Sequence, residues 1–154
     1  MAKVVDPKTV EAITGTIYPK TLAKMVEGRS KRKLTEALGL KQFGVNVTTL
    51  QPGAASSQRH WHVAEDEFCY VLEGEITLIS NEGEQLLGPG MAVGFPANDE
   101  NGHQLINRGA KPAVYLEIGT RSLVEHVVYP DVDMNLTTAN GKSIVRKKDG
   151  TPYA

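Results

Sequence analysis

Cysteine is almost absent from this chain, which has a single thiol, Cys69, among its 154 residues. One cysteine cannot form an intramolecular disulfide, which argues against a secreted domain stabilised by disulfides. The opening residues 1–14 also lack the apolar run that a secretory signal peptide needs. We therefore expect a cytoplasmic protein.

Long apolar runs and an excess of charge of one sign are lacking as well. No stretch approaches the roughly 20 consecutive apolar residues that cross a bilayer. Seventeen Lys and Arg residues are balanced by eighteen Asp and Glu residues, which gives a formal net charge of -1. Such a chain has no overall field that would draw it to nucleic acid or to an anionic membrane. We expect neither partner, and instead a small molecule that is recognised locally.

Short, glycine-punctuated segments dominate the sequence. Fifteen glycines and eight prolines separate runs rich in Val, Ile, Leu, Tyr and Thr, a pattern typical of many short strands. Strands in this number favour a sandwich or a barrel. The predicted strands are Phe43–Leu50, Gln58–His62, Glu67–Leu72, Glu75–Ser80, Gln85–Leu87, Ala92–Phe95, His103–Asn107 and Ala113–Gly119, with Ser143–Lys147 as a possible edge strand.

The length and composition fit one domain with one core, in which three parts are expected. Residues 43–121 contain the predicted strands and form the barrel core. Residues 1–42 contain only short helical turns and are predicted to be an arm packed on the barrel. Residues 122–154 are predicted to be a C-terminal extension packed on it. The basic cluster Gly28–Lys33 in the arm is interpreted as a solvated loop in preference to an anion site.

Histidine is rare, and two of the four histidines lie close together. His60 and His62 are separated by one residue on a predicted strand, so both imidazoles project from the same face, while Trp61 points to the opposite face. This is the arrangement that metal chelation requires, although an isolated pair fits hydrogen-bonded surface or core histidines equally well. His126 lies in a charged segment and is expected at the surface.

The residues that follow the histidine pair form two spaced patterns. The first pattern contains Gly53, His60, His62, Glu67 and Gly74, and the second contains Gly90, Pro96, His103 and Asn107. Together they resemble the two motifs of the cupin family, G-x5-H-x-H-x3/4-E-x6-G and G-x5-P-x-G-x2-H-x3-N. The turns that precede His60 and His103 are longer than the motifs allow, and Asn98 replaces a glycine. We expect these differences to reshape the rim of the site more than the metal ligands.

The resemblance implies an all-β fold, the double-stranded β-helix or jelly-roll barrel of the cupins, here with an N-terminal arm and short helical turns. It also implies that His60, His62, Glu67 and His103 bind one divalent transition metal. Three imidazoles and one carboxylate suit Mn, Fe, Co, Ni, Cu or Zn, and not calcium, which prefers oxygen ligands only. The sequence does not distinguish among these metals.

The choice of carboxylate rests on spacing. Asp66 fits the shorter motif spacing, but Glu67 lies at the motif distance from Gly74 and is preferred. Glu65 and Asp66 are expected in a solvated turn. Cys69, two residues further along the strand from Glu67, is expected to be a buried small apolar residue in preference to a reactive thiol.

A closer likeness covers most of the chain. It is to a group of small bacterial single-domain cupins, some of which are labelled sugar-phosphate isomerases by analogy of fold. Because one fold hosts many chemistries, that label carries little weight. Small cupins commonly form homodimers, which we also expect here. The likeness is carried by Ser56–His62, Glu65–Phe68, Tyr70–Glu75, Gly102–His103, Tyr115–Arg121, Tyr129–Asp131 and Asp149–Tyr153.

The sequence is compatible with three functions. In the first, the metal acts as a Lewis acid on a small polar metabolite in an isomerase or lyase reaction, with Glu117 and Tyr115 as candidate catalytic residues. In the second, redox iron supports a dioxygenase reaction in the same site. In the third, the pocket binds or senses a small molecule without turnover.

Overall fold

The computed structural model describes residues 1–153. Short 3-10 turns form at Pro7–Thr9 and Lys24–Val26, and two short α-helices form at Lys20–Ala23 (α1) and Leu34–Leu38 (α2). No helix in this part of the chain is long and apolar enough to cross a membrane. The strands are β1 (Arg29–Lys33), β2 (Phe43–Leu50), β3 (Trp61–His62), β4 (Glu67–Glu73), β5 (Ile76–Ser80), β6 (Gly83–Leu87), β7 (Ala92–Phe95), β8 (Gln104–Ile106), β9 (Ala113–Thr120), β10 (Val124–Val128), β11 (Asn135–Ala139) and β12 (Lys142–Arg146).

One layer of the fold is a five-stranded antiparallel sheet in the order β1-β2-β9-β4-β7. The other layer consists of two smaller sheets, β12-β11-β10-β3 and β6-β5-β8. Isolated bridges between His60 and His103 and between Ala55 and Ile106 join these two sheets edge to edge. The second layer is thus continuous across the β3–β8 boundary.

The main core lies between the two layers. Val71 and Tyr115 of the five-stranded sheet pack in the same buried cluster as Ile76, Leu78 and Leu105 of the opposite layer. Apolar side chains alternate inward from both layers, and their burial provides the main driving force for closing the sheets on each other. The predicted all-β jelly-roll barrel is therefore confirmed.

A second, smaller core joins the two ends of the chain. Val127, Tyr129 and Met134 are buried in it. Tyr18 and Leu22 of the N-terminal segment pack against them, together with side chains of the C-terminal strands. This contact holds the N-terminal segment beside β10, next to the histidine-bearing strand β3.

Asn107 fixes the turn that follows β8. Its side chain is fully buried and donates to the carbonyls of Leu50 and Lys111, both at 2.8 Å, while its Oδ1 accepts from the Gly109 N–H at 2.9 Å. A buried amide with all of these partners is held in one orientation. The end of the second motif is therefore tied to β2.

Several predicted strands match the structure closely, others are shorter than predicted, and the interpretation of the basic cluster is wrong. Phe43–Leu50 and Ala92–Phe95 have the predicted bounds. The basic cluster is not a solvated loop, because Arg29–Lys33 forms edge strand β1 against β2. Lys31 of this strand pairs with Glu117 at 2.6 Å, so tertiary contacts outweigh the low strand propensity of charged residues.

Candidate metal centre

Four side chains from three neighbouring regions meet inside the barrel near its edge. His62 lies in β3, His60 comes just before it, Glu67 begins β4, and His103 comes just before β8. His60 and His103 form an antiparallel bridge, in which the two backbone N–H···O distances are 3.1 and 2.8 Å. The backbone alone therefore places two of the four side chains opposite each other.

The nitrogen and oxygen donors of these residues converge. Glu67 Oε2 lies 3.0 Å from His103 Nε2, 3.3 Å from His62 Nε2 and 3.7 Å from His60 Nε2. His60 Nε2 and His62 Nε2 are 3.2 Å apart. Within this cluster, His60, His62 and Glu67 are close enough together to hold a metal ion.

These separations fit a shared transition-metal ion. Metal–nitrogen and metal–oxygen bonds of about 2.1 Å at right angles leave neighbouring donor atoms about 3 Å apart. The His60 Nδ1 atom lies 2.9 Å from the Gln58 carbonyl, which can only accept, so Nδ1 carries the proton. His60 Nε2 then keeps the lone pair that a metal would need. The residues present therefore fit the metal that the sequence motifs imply.

His103 is held neutral and rigid. Burial lowers its pKa, although the hydrogen bond that it donates to the Glu67 carboxylate opposes that effect. Its ring stacks on Phe95, with ring centroids 3.5 Å apart and planes 6° from parallel. A neutral imidazole is the form that binds a metal.

Charge in the cluster is concentrated on Glu67. Burial alone would raise the pKa of its carboxyl, but its contacts with the imidazoles of His103, His60 and His62 hold that pKa well below its usual value. Burial would lower the pKa of His62, yet the carboxylates of Glu67 and Glu125 raise it above its usual value. The cluster is thus a buried carboxylate surrounded by imidazoles.

Glu125 is a site residue that the sequence interpretation missed. It is buried on β10, and its Oε2 lies 3.8 Å from His62 Nδ1. With His62 and Glu65 it forms a second group whose donor atoms are close enough to hold a metal ion. The signal was available, because Glu125 alternates with Val127 and Tyr129, both buried. His126, expected at the surface, is half-buried in β10 and belongs to neither group.

A cavity of about 340 Å³ opens beside the cluster and includes His60, His62 and Glu67 in its wall. Lys31 and Glu117 form an ion pair in the same wall, and the Lys31 Nζ atom lies 2.6 and 2.9 Å from the two oxygens of the Glu117 carboxylate. The sequence left open whether Glu117 faces a sheet surface or the pocket. The structure places it in the wall of the cavity.

Two other residues singled out in the sequence lie deeper. Tyr115 is fully buried, and its hydroxyl has no hydrogen-bond partner in the described part of the chain. Burial, and next Glu117, raise the pKa of Tyr115 well above its usual value. Cys69 is also buried, and burial raises the pKa of its thiol well above the usual range. Neither residue is in the wall of the 340 Å³ cavity.

A second cavity of about 300 Å³ reaches His62 and His103. Its wall combines apolar side chains, among them Trp61, Val93 and Phe95, with polar ones. Charged side chains in this wall, apart from the histidines, are acidic. The cluster is therefore in contact with two cavities, of which only the 340 Å³ cavity has lysine and arginine side chains in its wall.

Comparison with known proteins identifies the family of this fold. The Cupin_2 family profile, described as the cupin domain, matches residues 46–119. A search of curated proteins found no significant match. The crystal structure of a cupin-superfamily sugar phosphate isomerase from Silicibacter pomeroyi is 41% identical, covers 99% of this chain and 97% of its own, and superposes with a TM-score of 0.94.

More distant structures share the same fold. A protein of Acidithiobacillus ferrooxidans, provisionally described as a sugar phosphate isomerase, is 31% identical over 82% of this chain and 80% of its own, with a TM-score of 0.73. The polyketide cyclase RemF of Streptomyces resistomycificus is 22% identical over 78% of this chain and 80% of its own, with a TM-score of 0.65, and shows the fold alone. The chain has the jelly-roll barrel and the histidine and glutamate cluster, and it matches a 41% identical relative over nearly the whole length of both chains. It therefore belongs to the cupin superfamily.

Proposed function

We propose that this cupin is a metal-dependent enzyme that binds one divalent transition metal through His60, His62, Glu67 and His103. An ion held there would supply Lewis-acid chemistry for an isomerase or lyase reaction of a small polar metabolite. The single observation that carries the proposal is that Nε2 atoms of three histidines lie 3.0–3.7 Å from the Glu67 carboxylate, beside a cavity with an ordered carboxylate in its wall.

Such a reaction would divide three tasks between the bound ion and the chain's own residues. A bound divalent ion would polarise a carbonyl or hydroxyl group of the metabolite. Glu117 would move a proton, because its carboxylate lines the cavity and is oriented by Lys31 Nζ at 2.6 Å and by Asn46 Nδ2 at 3.0 Å. The buried cluster, in which the His103 side chain is 4% exposed and Glu67 is 14% exposed, would keep bulk water away.

The proposal assigns proton transfer to Glu117 and not to Tyr115. A proton-transfer group must come within hydrogen-bond reach of the metabolite. Glu117 lies in the cavity wall, whereas Tyr115 lies in the core beneath it, fully buried. Tyr115 then serves packing between the two layers.

Support for a sugar phosphate as the metabolite comes from the relatives. The Silicibacter pomeroyi protein, 41% identical over nearly the whole chain, is described as a sugar phosphate isomerase. The cavity of about 340 Å³ is large enough for a small sugar derivative and is lined by polar side chains. We therefore propose sugar phosphates as the first compounds to test, ahead of keto acids and phenols.

A turnover assay tests the proposal. Protein purified without an affinity tag is analysed for metals, and compounds that raise its melting temperature are then assayed for conversion with and without oxygen. We expect metal-dependent conversion that does not need oxygen, and a loss of about 100-fold or more in Glu117→Gln. Glu84→Gln is the matched control, because Glu84 forms an exposed pair with Arg108.

Each other outcome selects a different function. Full activity in the metal-free protein contradicts the metal-dependent mechanism. Conversion that stops without oxygen and tracks iron content identifies a dioxygenase instead. Binding of a compound without any conversion identifies a sensing or carrier pocket.

We also propose that the protein forms a homodimer through the outer face of the five-stranded sheet. The strand register places Ile118 between Val45 on one side and Phe68 on the other, in one row across this face. The next row pairs Leu116 with Tyr70. Phe68 is 40% exposed and Tyr70 is 37% exposed, which leaves an apolar strip on the surface of a single chain.

A further inference from the structure

Arg29 lies in the wall of the cavity but has no role in the proposed reaction. It begins edge strand β1 and lines both the 340 Å³ cavity and an adjoining cavity of about 430 Å³. Its guanidinium donates to the Ser56 carbonyl and, at 3.0 Å, to the Gly15 carbonyl. Both acceptors are uncharged, and Arg29 takes part in no ion pair within residues 1–153. Its positive charge is therefore not neutralised by a carboxylate.

The other cations in the wall of the 340 Å³ cavity differ in this respect. Lys31 is paired with Glu117 at 2.6 Å, and Arg121 is paired with Glu36 at 3.3 Å. Both charges are thus already matched by acidic side chains. Arg29 alone among the arginines and lysines of this wall keeps an unmatched charge.

The acidic side chains near His62 are held by backbone groups. Glu65 accepts the Ser122 N–H at 2.6 Å. Glu125 accepts the N–H groups of Val63 and Ala64, both at 3.1 Å. These contacts direct both carboxylates to the β10 side of His62, where they do not pair with Arg29.

Tyr129 supplies a second donor in the same wall. It is 3% exposed, and its hydroxyl oxygen accepts from Tyr18 at 3.5 Å, while its own O–H has no acceptor in the part of the chain that the structure describes. The rings of Tyr129 and His60 are 5.7 Å apart between centroids, which places this donor beside the metal cluster.

We propose that Arg29 and Tyr129 form an anion-binding subsite that holds the phosphate or carboxylate group of the metabolite next to His60. An arginine fork with free N–H donors matches the geometry of an oxyanion, and a hydroxyl donor completes the site. The 300 Å³ cavity does not compete, because its wall contains no lysine or arginine and includes Glu82 and Asp99. The anionic end of the metabolite thus lies on the Arg29 side of the cluster.

This subsite extends the proposed function, because it places the anion beside the metal centre, but its test needs no turnover. Inorganic phosphate and acetate are titrated into the metal-stripped protein and the metal-loaded protein by calorimetry. We expect saturable binding of at least one of the two anions in both forms. Tighter binding of phosphate identifies a phosphorylated metabolite, and tighter binding of acetate identifies a carboxylate.

Variants of Arg29 test the residue directly. Arg29→Met is expected to weaken anion binding by about tenfold or more, since a charge-assisted hydrogen bond is lost. Tyr129→Phe is expected to weaken it less. Arg108→Met is the matched control, because Arg108 is exposed and paired with Glu84 at 2.6 Å. This variant should bind the anion as tightly as the wild-type protein does. Circular dichroism confirms that each variant is folded.

Arg29 also holds two backbone carbonyls, so Arg29→Lys serves as a second variant in case Arg29→Met does not fold. It keeps the charge, loses the fork, and should still weaken binding by a few-fold. Wild-type binding by Arg29→Lys or Arg29→Met overturns the subsite, and so does the absence of saturable anion binding in the wild-type protein. Neither result bears on metal binding or on turnover, which are measured separately.

Discussion

His60 and His103 lie directly opposite each other across an antiparallel bridge, and each donates its backbone N–H to the carbonyl of the other. The bridge also joins the two small sheets of the second layer. These two proposed metal ligands are therefore positioned by the fold before any ion would bind. Preorganisation of this kind reduces the entropic cost of metal binding.

Replacement of His103 should therefore change metal affinity without unfolding the protein. In His103→Gln the backbone bridge remains, while one proposed nitrogen ligand is removed. Since loss of an outer-shell contact alone costs about 10- to 100-fold in metal affinity, we expect a loss of at least about 100-fold. Competition with a coloured chelator measures it, and His126→Gln is the control. Equal affinity in wild type and His103→Gln would remove His103 from the ligand set.

Close packing at Gly74 predicts a loss of stability on substitution. Its φ is +75°, and a Cβ atom built there lies 2.9 Å from both Ala113 Cα and the Pro112 carbonyl oxygen. Gly53 has a similar φ of +84° with no atom within 4 Å of a built Cβ, so Gly53→Ala measures the backbone strain alone. We expect Gly74→Ala to lower the free energy of unfolding by about 1–3 kcal/mol more than Gly53→Ala. Urea unfolding measures both, and equal losses would show that the Gly74 contact is relaxed.

The proposed dimer predicts a specific effect of charge on the sheet face. Tyr70 lies in the apolar strip, so Tyr70→Lys places a charge in the proposed interface. Light scattering should show a dimer for wild type and a monomer for Tyr70→Lys. Leu123→Lys is the control, because Leu123 is 73% exposed outside the strands and should leave the dimer intact. A wild-type monomer would contradict the proposed interface.

The Arg59–Asp131 pair predicts a small pH-dependent contribution to stability. Arg59 Nε and Nη2 lie 2.7 and 2.8 Å from the two Asp131 oxygens, and the hydrogen bond from Arg59 holds the pKa of Asp131 below its usual value. A lowered folded-state pKa contributes stability above the ordinary Asp pKa of about 4, and that contribution is lost as the pH falls through the lowered value.

The expected size of this effect is below about 1 kcal/mol, because Asp131 is largely exposed and solvent screens the pair. Asp131→Asn should therefore be slightly less stable than wild type at pH 7 and equally stable once Asp131 is protonated in the folded wild type. Urea unfolding at neutral and acidic pH measures the difference. A difference that does not change with pH would show that the ion pair contributes nothing.

Some of the fold and site could be predicted because local pattern and spacing carry the information. Phe43–Leu50 is a strand with clear alternation, and it forms with the predicted bounds. The spacing of His60, His62 and Glu67 reflects a strand, a turn and the start of the next strand, so local structure brings these side chains together.

Other features depend on contacts between distant parts of the chain. Arg29–Lys33 was interpreted as a solvated loop because charged residues are poor strand formers. Its place at the sheet edge depends on long-range contacts, such as the pairing with β2 and the ion pair of Lys31 with Glu117 on β9. The strand β10 was missed because Val124–Val128 contains a glutamate and a histidine. The contact of Glu125 with His62, at 3.8 Å between Oε2 and Nδ1, joins two strands that are far apart in the sequence.

Metal content measured by elemental analysis is the most direct test of the metal centre. Protein purified without an affinity tag is compared with Glu67→Gln, which replaces the carboxylate with a neutral amide of nearly the same shape. We expect about one transition-metal ion per wild-type chain and almost none in Glu67→Gln. A wild-type protein that contains no transition metal and takes none up, or a Glu67→Gln variant that keeps the full amount, would contradict the proposed centre.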